Sequence, residues 1–174
     1  MKVINLWAGP GAGKSTTAAG LFFKMKCAGY KVELVTEYAK DLTYERQWAL
    51  RRCQMHVSRE QARRQARLIG QVDFCITDSP LLLGLHYARP RDLPSVQRFV
   101  ERQWGLYENV NFYLNRVKPY QSYGRSGNED GARTIDRSLR ILLDERGMSY
   151  CRLDGDEHAP ERILHFLKLT GHLD

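Results

Sequence analysis

The sequence predicts an α/β fold, a three-layer sandwich of helices around one five-stranded parallel sheet. Three observations carry that expectation. Short apolar runs alternate with stretches of helical period, the pattern that repeated strand–helix units write into a chain. The first apolar run ends directly in the glycine-rich turn Ala8-Gly9-Pro10-Gly11-Ala12-Gly13-Lys14-Ser15-Thr16. The 174 residues, 43% of them hydrophobic, suit a single domain (1–174) with one well-filled core.

Residues 2–7 read as a buried strand and residues 13–28 as a helix, with Ala18, Leu21, Phe22 and Met25 at helical spacing and Gly29 as its stop. The turn between them fits the phosphate-loop pattern G-x-x-x-x-G-K-[ST], with Ala8 in place of the first glycine. Gly9, Gly11, Ala12 and Gly13 keep side chains out of the way, so that backbone N–H groups converge on phosphate oxygens. Lys14 brings a mobile positive charge to the β- and γ-phosphates, and Ser15 offers its hydroxyl to Mg²⁺ beside Thr16. The helix start adds its positive end. The predicted ligand is a nucleoside triphosphate.

Val32–Thr36 reads as the second strand, with Glu37 at its carboxyl end, where ligands of open parallel sheets bind. Residues 42–69 read as one long helix or a bent pair. Arg52, His56, Arg59, Arg63 and Arg67 step along it by three or four, a basic stripe with few acids near it. Residues 73–80 hold the third strand, ending in Asp78 in the Walker B arrangement that serves a Mg²⁺ shell. Leu81–Tyr87 and Ser95–Gly105 read as helices around an exposed loop, and Val110–Leu114 as the fourth strand.

Residues 115–133 are polar and glycine-rich, too long for an ordinary connection, and predict a mobile lid. Arg116, Lys118, Arg125 and Arg133 lie in or beside it. Arg125 in mid-loop and Arg133 at the next helix are the candidates to stabilise charge on a transferring phosphoryl group. Thr134–Arg146 reads as a helix, Ser149–Leu153 as the fifth strand, Asp154–Pro160 as a turn and Glu161–Leu169 as the last helix.

The net charge of +7 favours polyanionic partners or phosphate-rich ligands. Cys27, Cys53, Cys75 and Cys151 are scattered without metal-ligand spacing, as expected of reduced thiols in a cytoplasmic protein. No run approaches the roughly 18–20 apolar residues that a membrane helix needs. After the fourth strand the chain reads Asn115-Arg116-Val117-Lys118, with Lys where a guanine-reading Asn-Lys-x-Asp requires Asp, which argues against a GTPase switch. An oligomeric motor ATPase carries a larger domain, and a plain binding module leaves Glu37 and the lid without a task.

With its phosphate loop, strand-end Glu37, Thr77-Asp78-Ser79-Pro80 and Arg-rich lid, the chain resembles the P-loop kinase superfamily over its whole length. Val35-Thr36-Glu37-Tyr38-Ala39-Lys40 and Asp78-Ser79-Pro80 are similar to the group of nicotinamide riboside kinase domains and small phage kinases, above all the phage 5-hydroxymethyluridine DNA kinases. The resemblance implies a P-loop NTPase fold, ATP and Mg²⁺ as cofactors, and a host-cytoplasmic location. It implies phosphorylation of the hydroxymethyl group of 5-hydroxymethyl-deoxyuridine in DNA. It places Lys14 on the phosphates, Ser15 and Asp78 on the metal, and Glu37 as general base, with Asp78 able to exchange roles with it. DNA is then expected along the 42–69 helix and the lid, with Tyr44, Trp48, Tyr120 and Tyr123 as candidate stacking platforms. Two alternatives stand beside this reading. One is a kinase of a free nucleoside, nucleotide or nicotinamide riboside; the other is a nucleic-acid-binding ATPase.

Overall fold

A computed structural model describes residues 1–121 and 127–173. Its strands are β1 (Lys2–Trp7), β2 (Val32–Val35), β3 (Phe74–Thr77), β4 (Glu108–Asn115) and β5 (Cys151–Asp154). All neighbouring pairs are parallel, in the spatial order β2-β3-β1-β4-β5. The helices are α1 (Lys14–Cys27), α2 (Tyr38–Tyr44), α3 (Trp48–Arg51), α4 (Gln54–Ala66), α5 (Leu83–Tyr87), α6 (Leu93–Trp104), α7 (Glu129–Glu145) and α8 (Ala159–Leu169). This is the expected P-loop sandwich.

The period of two along β1 sends its side chains to two different cores. Ile4 and Leu6 pack with Leu21 and Met25 of α1 and with Ile163 and Leu167 of α8. Trp7 joins Leu85, Val96, Val100, Leu139 and Leu143, while Val3 joins Ala62 and Cys75 on that same side. Trp7 is fully buried and satisfies its indole N–H on Asn111 Oδ1 at 3.1 Å. With both faces covered, the carboxyl ends of the strands are left as the open edge where the phosphate loop sits.

The largest correction to the sequence reading falls at residues 42–69. Residues 42–69 do not form one long helix or a bent pair; the chain makes α2, α3 and α4 there. Helix α2 ends in a Schellman arrangement, in which Gln47 N–H donates to Leu42 O at 2.9 Å and Arg46 N–H to Thr43 O at 3.2 Å. Its left-handed residue is Arg46, with φ 58°, so no glycine marked the stop. A second break falls at Cys53, whose extended backbone starts α4. Arg52 therefore lies off the stripe, and Arg63 and Arg64 are paired with Glu60, Arg64 with Asp41 as well.

Helices α6 and α7 begin earlier than expected. Pro94 is tolerated in the first turn of α6, and Asn128 caps α7 by accepting the Gly131 N–H at 2.9 Å. Residues 129–133 of the expected lid are thus helical, while Tyr123 and Arg125 lie outside the described residues. Among the described residues, no helix is long and apolar enough to cross a membrane.

Candidate active site

The phosphate loop turns on two glycines in left-handed conformation, Gly11 at φ 81° and Gly13 at φ 98°. Its other contacts hold it between two elements distant in sequence. A Cβ on Gly9 would lie 2.6 Å from Asp136 Oδ1 and 2.7 Å from the Ala132 carbonyl, both on α7. The Gly9 N–H donates to that same Asp136 oxygen at 2.6 Å. On the other side, a Cβ on Gly155 would run into the Ala12 carbonyl, and one on Gly13 would lie 2.8 Å from the Gly155 carbonyl. The turn after β5 thus presses on the loop backbone, and only glycine allows the approach.

At the start of α1, Lys14 folds back over the loop, its Nζ donating to Ala8 O at 2.8 Å and Gly9 O at 3.0 Å. Burial lowers its pKa, while Glu37, Asp78 and Asp136 act to hold its proton. Ser15 and Thr16 stand exposed at the same helix start. The Ser15 hydroxyl donates to Asp78 Oδ2 at 2.5 Å, joining the two residues predicted to share a metal. Asp78 is buried, and among the described residues its Oδ1 has no hydrogen-bond partner. A desolvated carboxylate oxygen with a free lone pair beside a hydroxyl fits a hard cation that takes oxygen ligands. Among the described residues, no cluster of three or more His, Cys, Asp or Glu forms a ready metal cage. Mg²⁺ is commonly bound by one or two protein oxygens, with phosphates and water completing its shell.

Glu37 stands where β2 gives way to α2. Buried Gln61 of α4 fixes the backbone on both sides of it, accepting the Tyr38 N–H at 3.0 Å and donating to Thr36 O at 3.2 Å. Burial pushes the Glu37 carboxyl up; Lys14 pulls it back down and Asp78 adds to the rise. Among the described residues its carboxylate accepts no hydrogen bond, whereas Asp78 is tied to Ser15. Around Glu37, the Tyr38 hydroxyl meets His56 Nε2 at 3.0 Å, and Arg64 lies over the Tyr38 ring at 4.7 Å. Arg51, whose buried Nε has no partner among the described residues, lowers the pKa of Glu37. Burial, with Glu37 adding to it, pushes Tyr87 up to about 12. Arg51 and Tyr87 therefore both feel the charge of Glu37.

The two arginines that can be placed differ in setting. Arg133 is exposed on α7, bonded to Glu129 Oε1 at 2.7 Å, one residue from the Ala132 that touches Gly9. Arg116 is not the mobile lid residue expected. Its side chain is only 4% exposed, its Nε donates to Asp136 Oδ2 at 2.9 Å, and its Nη2 donates to Pro10 O at 2.8 Å. Sequence reasoning missed Asp136 and Gln61 altogether. Neither stands in a motif, and each acquires its role only through packing.

Residues 3–162 match the family model described as an AAA domain. The chain belongs to that AAA domain family. A search of the curated proteins finds no match to this AAA domain. Among solved structures it is similar to deoxyadenosine kinase from M. mycoides with bound dATP, at a TM-score of 0.61 and 18% identity, over 97% of this chain and 100% of that one. The same enzyme with products dCMP and a flexible dCDP bound gives a TM-score of 0.61 at 17% identity, over 98% of this chain and 100% of that one. At those identities the likeness shows a shared P-loop kinase fold.

Proposed function

We propose that this AAA domain is an ATP- and Mg²⁺-dependent kinase whose acceptor is the hydroxymethyl group of 5-hydroxymethyl-deoxyuridine in DNA. The observation that carries a kinase is the division of labour between two carboxylates beside Lys14. Asp78 is engaged with Ser15, while the Glu37 carboxyl accepts no hydrogen bond among the described residues and burial raises its pKa. A base held near the acceptor hydroxyl with a raised pKa is matched to removing that proton near neutral pH.

In this reading the backbone of Gly9–Gly13, with Lys14 and Thr16, holds the triphosphate, and Ser15 and Asp78 hold Mg²⁺. Mg²⁺ bound there offsets charge on the β- and γ-phosphates. The acceptor oxygen forms its bond to the γ-phosphorus as the bond to the β–γ bridging oxygen breaks, and its proton passes to Glu37. ADP and a phosphomonoester leave. Arg125 and Arg133 are proposed to stabilise charge on the transferring group, which requires Arg133 to exchange Glu129 for phosphate.

The net charge of +7 supports a DNA acceptor. The fold shared with deoxyadenosine kinase favours a second reading, a free deoxynucleoside as acceptor. Membership of an AAA domain family keeps a nucleic-acid-dependent ATPase as a third. Incubation with γ-labelled ATP, hydroxymethyluracil-containing DNA and free nucleosides separates them. Label retained in the polymer supports the proposal. Label on a free nucleoside alone supports the second reading, and released phosphate alone the third.

A further inference from the structure

A cleft of about 400 Å³ opens between the α3–α4 junction and the turn that joins α5 to α6. Arg52, Arg89 and Arg91 line it, together with Gln54 and Ser95. Among the described residues Arg52 and Arg89 make no ion pair, and Arg91 has only a loose contact of 3.6 Å to its neighbour Asp92. Three arginines thus line one recess with a single acidic residue, Asp92. Like charges gathered without partners repel one another, and an arriving anion relieves that repulsion.

The position of the cleft gives its ligand a connection to the active site. The Tyr38 hydroxyl, one residue from Glu37, meets His56 Nε2 at 3.0 Å, and His56 directly follows Met55 of the cleft lining. The start of α4 therefore joins the surroundings of Glu37 to the cleft that holds the arginines. A nucleoside bound at Glu37 carries no anion to fill this recess. A nucleotide within a strand continues outward as a phosphodiester, and arginine is the side chain suited to grip it by paired N–H groups.

We propose that this cleft is an anion subsite for a backbone phosphate of the acceptor strand, flanking the nucleotide at Glu37. The proposal rests on the DNA reading above. It brings in the Arg89–Asp92 turn, an element outside the loop, the lid and the 42–69 segment.

The test compares wild-type protein with the double variant Arg89→Gln, Arg91→Gln, both exposed positions outside the proposed catalytic groups. Fluorescence anisotropy measures binding of labelled single-stranded oligothymidylate over a series of KCl concentrations. At about 0.7 per single-strand phosphate contact, the log–log salt slope should become shallower by roughly 0.7 to 1.4 in the variant, with about tenfold or greater loss of affinity at low salt. ATP affinity and the melting temperature should stay unchanged, which separates the effect from misfolding. Equal affinity and slope in both proteins would overturn the subsite. A variant weakened equally toward free dCMP would overturn the polynucleotide as occupant and assign the cleft to a nucleotide monophosphate. A wild-type protein that ignores the oligomer would overturn subsite and DNA reading together. Label transfer to hydroxymethyluracil-DNA by a variant with unaltered binding would sink the subsite alone.

Discussion

Gln61 straddles Glu37, its one amide group bonded to the peptides before and after the proposed base. The Glu37 carbonyl already accepts the Lys40 N–H at 3.3 Å. The Gln61 amide fixes the two flanking peptides, and together these bonds set the direction in which the Glu37 carboxylate leaves the backbone. Gln61→Leu keeps the volume but orphans the Tyr38 N–H and the Thr36 carbonyl, at a cost of about 1–3 kcal/mol. Turnover should fall about tenfold or more with ATP affinity nearly intact. Steady-state kinetics alongside thermal melting checks this; a lower melting temperature with unaltered kcat would reduce Gln61 to a structural role.

Glu37 itself links activity and stability to pH in opposite directions. Its folded pKa is raised, chiefly by desolvation, so turnover should drop as pH falls through that raised value and the base is protonated. For stability, the folded state holds this proton more tightly than the unfolded chain. The protonated form is therefore favoured in the fold at low pH, and that advantage is lost as pH rises through the raised pKa. Glu37→Gln should cut kcat by about 10²-fold or more while melting at a higher temperature than wild type at neutral pH, with the two curves converging in acid. Melting curves at several pH values decide it, and a gap that widens toward acid would contradict the assigned shift.

The Ser15–Asp78 bond predicts how the protein responds to metal. Asp78→Asn keeps the shape and the contact with Ser15 but removes the negative charge that a cation needs. The Mg²⁺ concentration for half-maximal rate should rise about tenfold or more, with the fold unchanged by circular dichroism. Chelation should abolish transfer in the wild type. An unaltered Mg²⁺ requirement in Asp78→Asn would take Asp78 out of the metal shell.

What could be read in advance follows the range of the interactions. The loop, Glu37 and Asp78 were legible because each sits at a fixed offset from an apolar run, and parallel strands carry their ends to one edge. The contacts that hold the site were not. Asp136 reaches Gly9 across 127 positions and Gln61 reaches Tyr38 across 23, with no spacing that announces either. The break at Arg46 was hidden for a local reason, since a left-handed residue is expected to be glycine and here is arginine. The basic stripe lost two members for different reasons: the break at Cys53 puts Arg52 outside α4, and Glu60 one turn away pairs with Arg63.

Asp136 carries the last prediction. It accepts the Gly9 N–H with one oxygen and Arg116 Nε with the other, and Arg116 reaches on to the Pro10 carbonyl. Arg116 is almost fully buried, so Asp136→Ala leaves a desolvated guanidinium and an unpaired loop N–H, a loss of about 3–5 kcal/mol. Lys14 also loses one of three carboxylates that hold its proton. Pairing the change with Arg116→Met removes the stranded charge. The double variant should therefore recover much of the stability lost in the single one, because a buried ion pair replaced by apolar groups is often close to neutral. ATP binding should not recover with it, since the Gly9 N–H and the Pro10 carbonyl stay untethered and the loop backbone is no longer fixed from α7. Denaturant melts and nucleotide titration of the wild type, the single and the double variant test both halves. A double variant no more stable than Asp136→Ala would mean that the pair contributes through loop geometry rather than through charge.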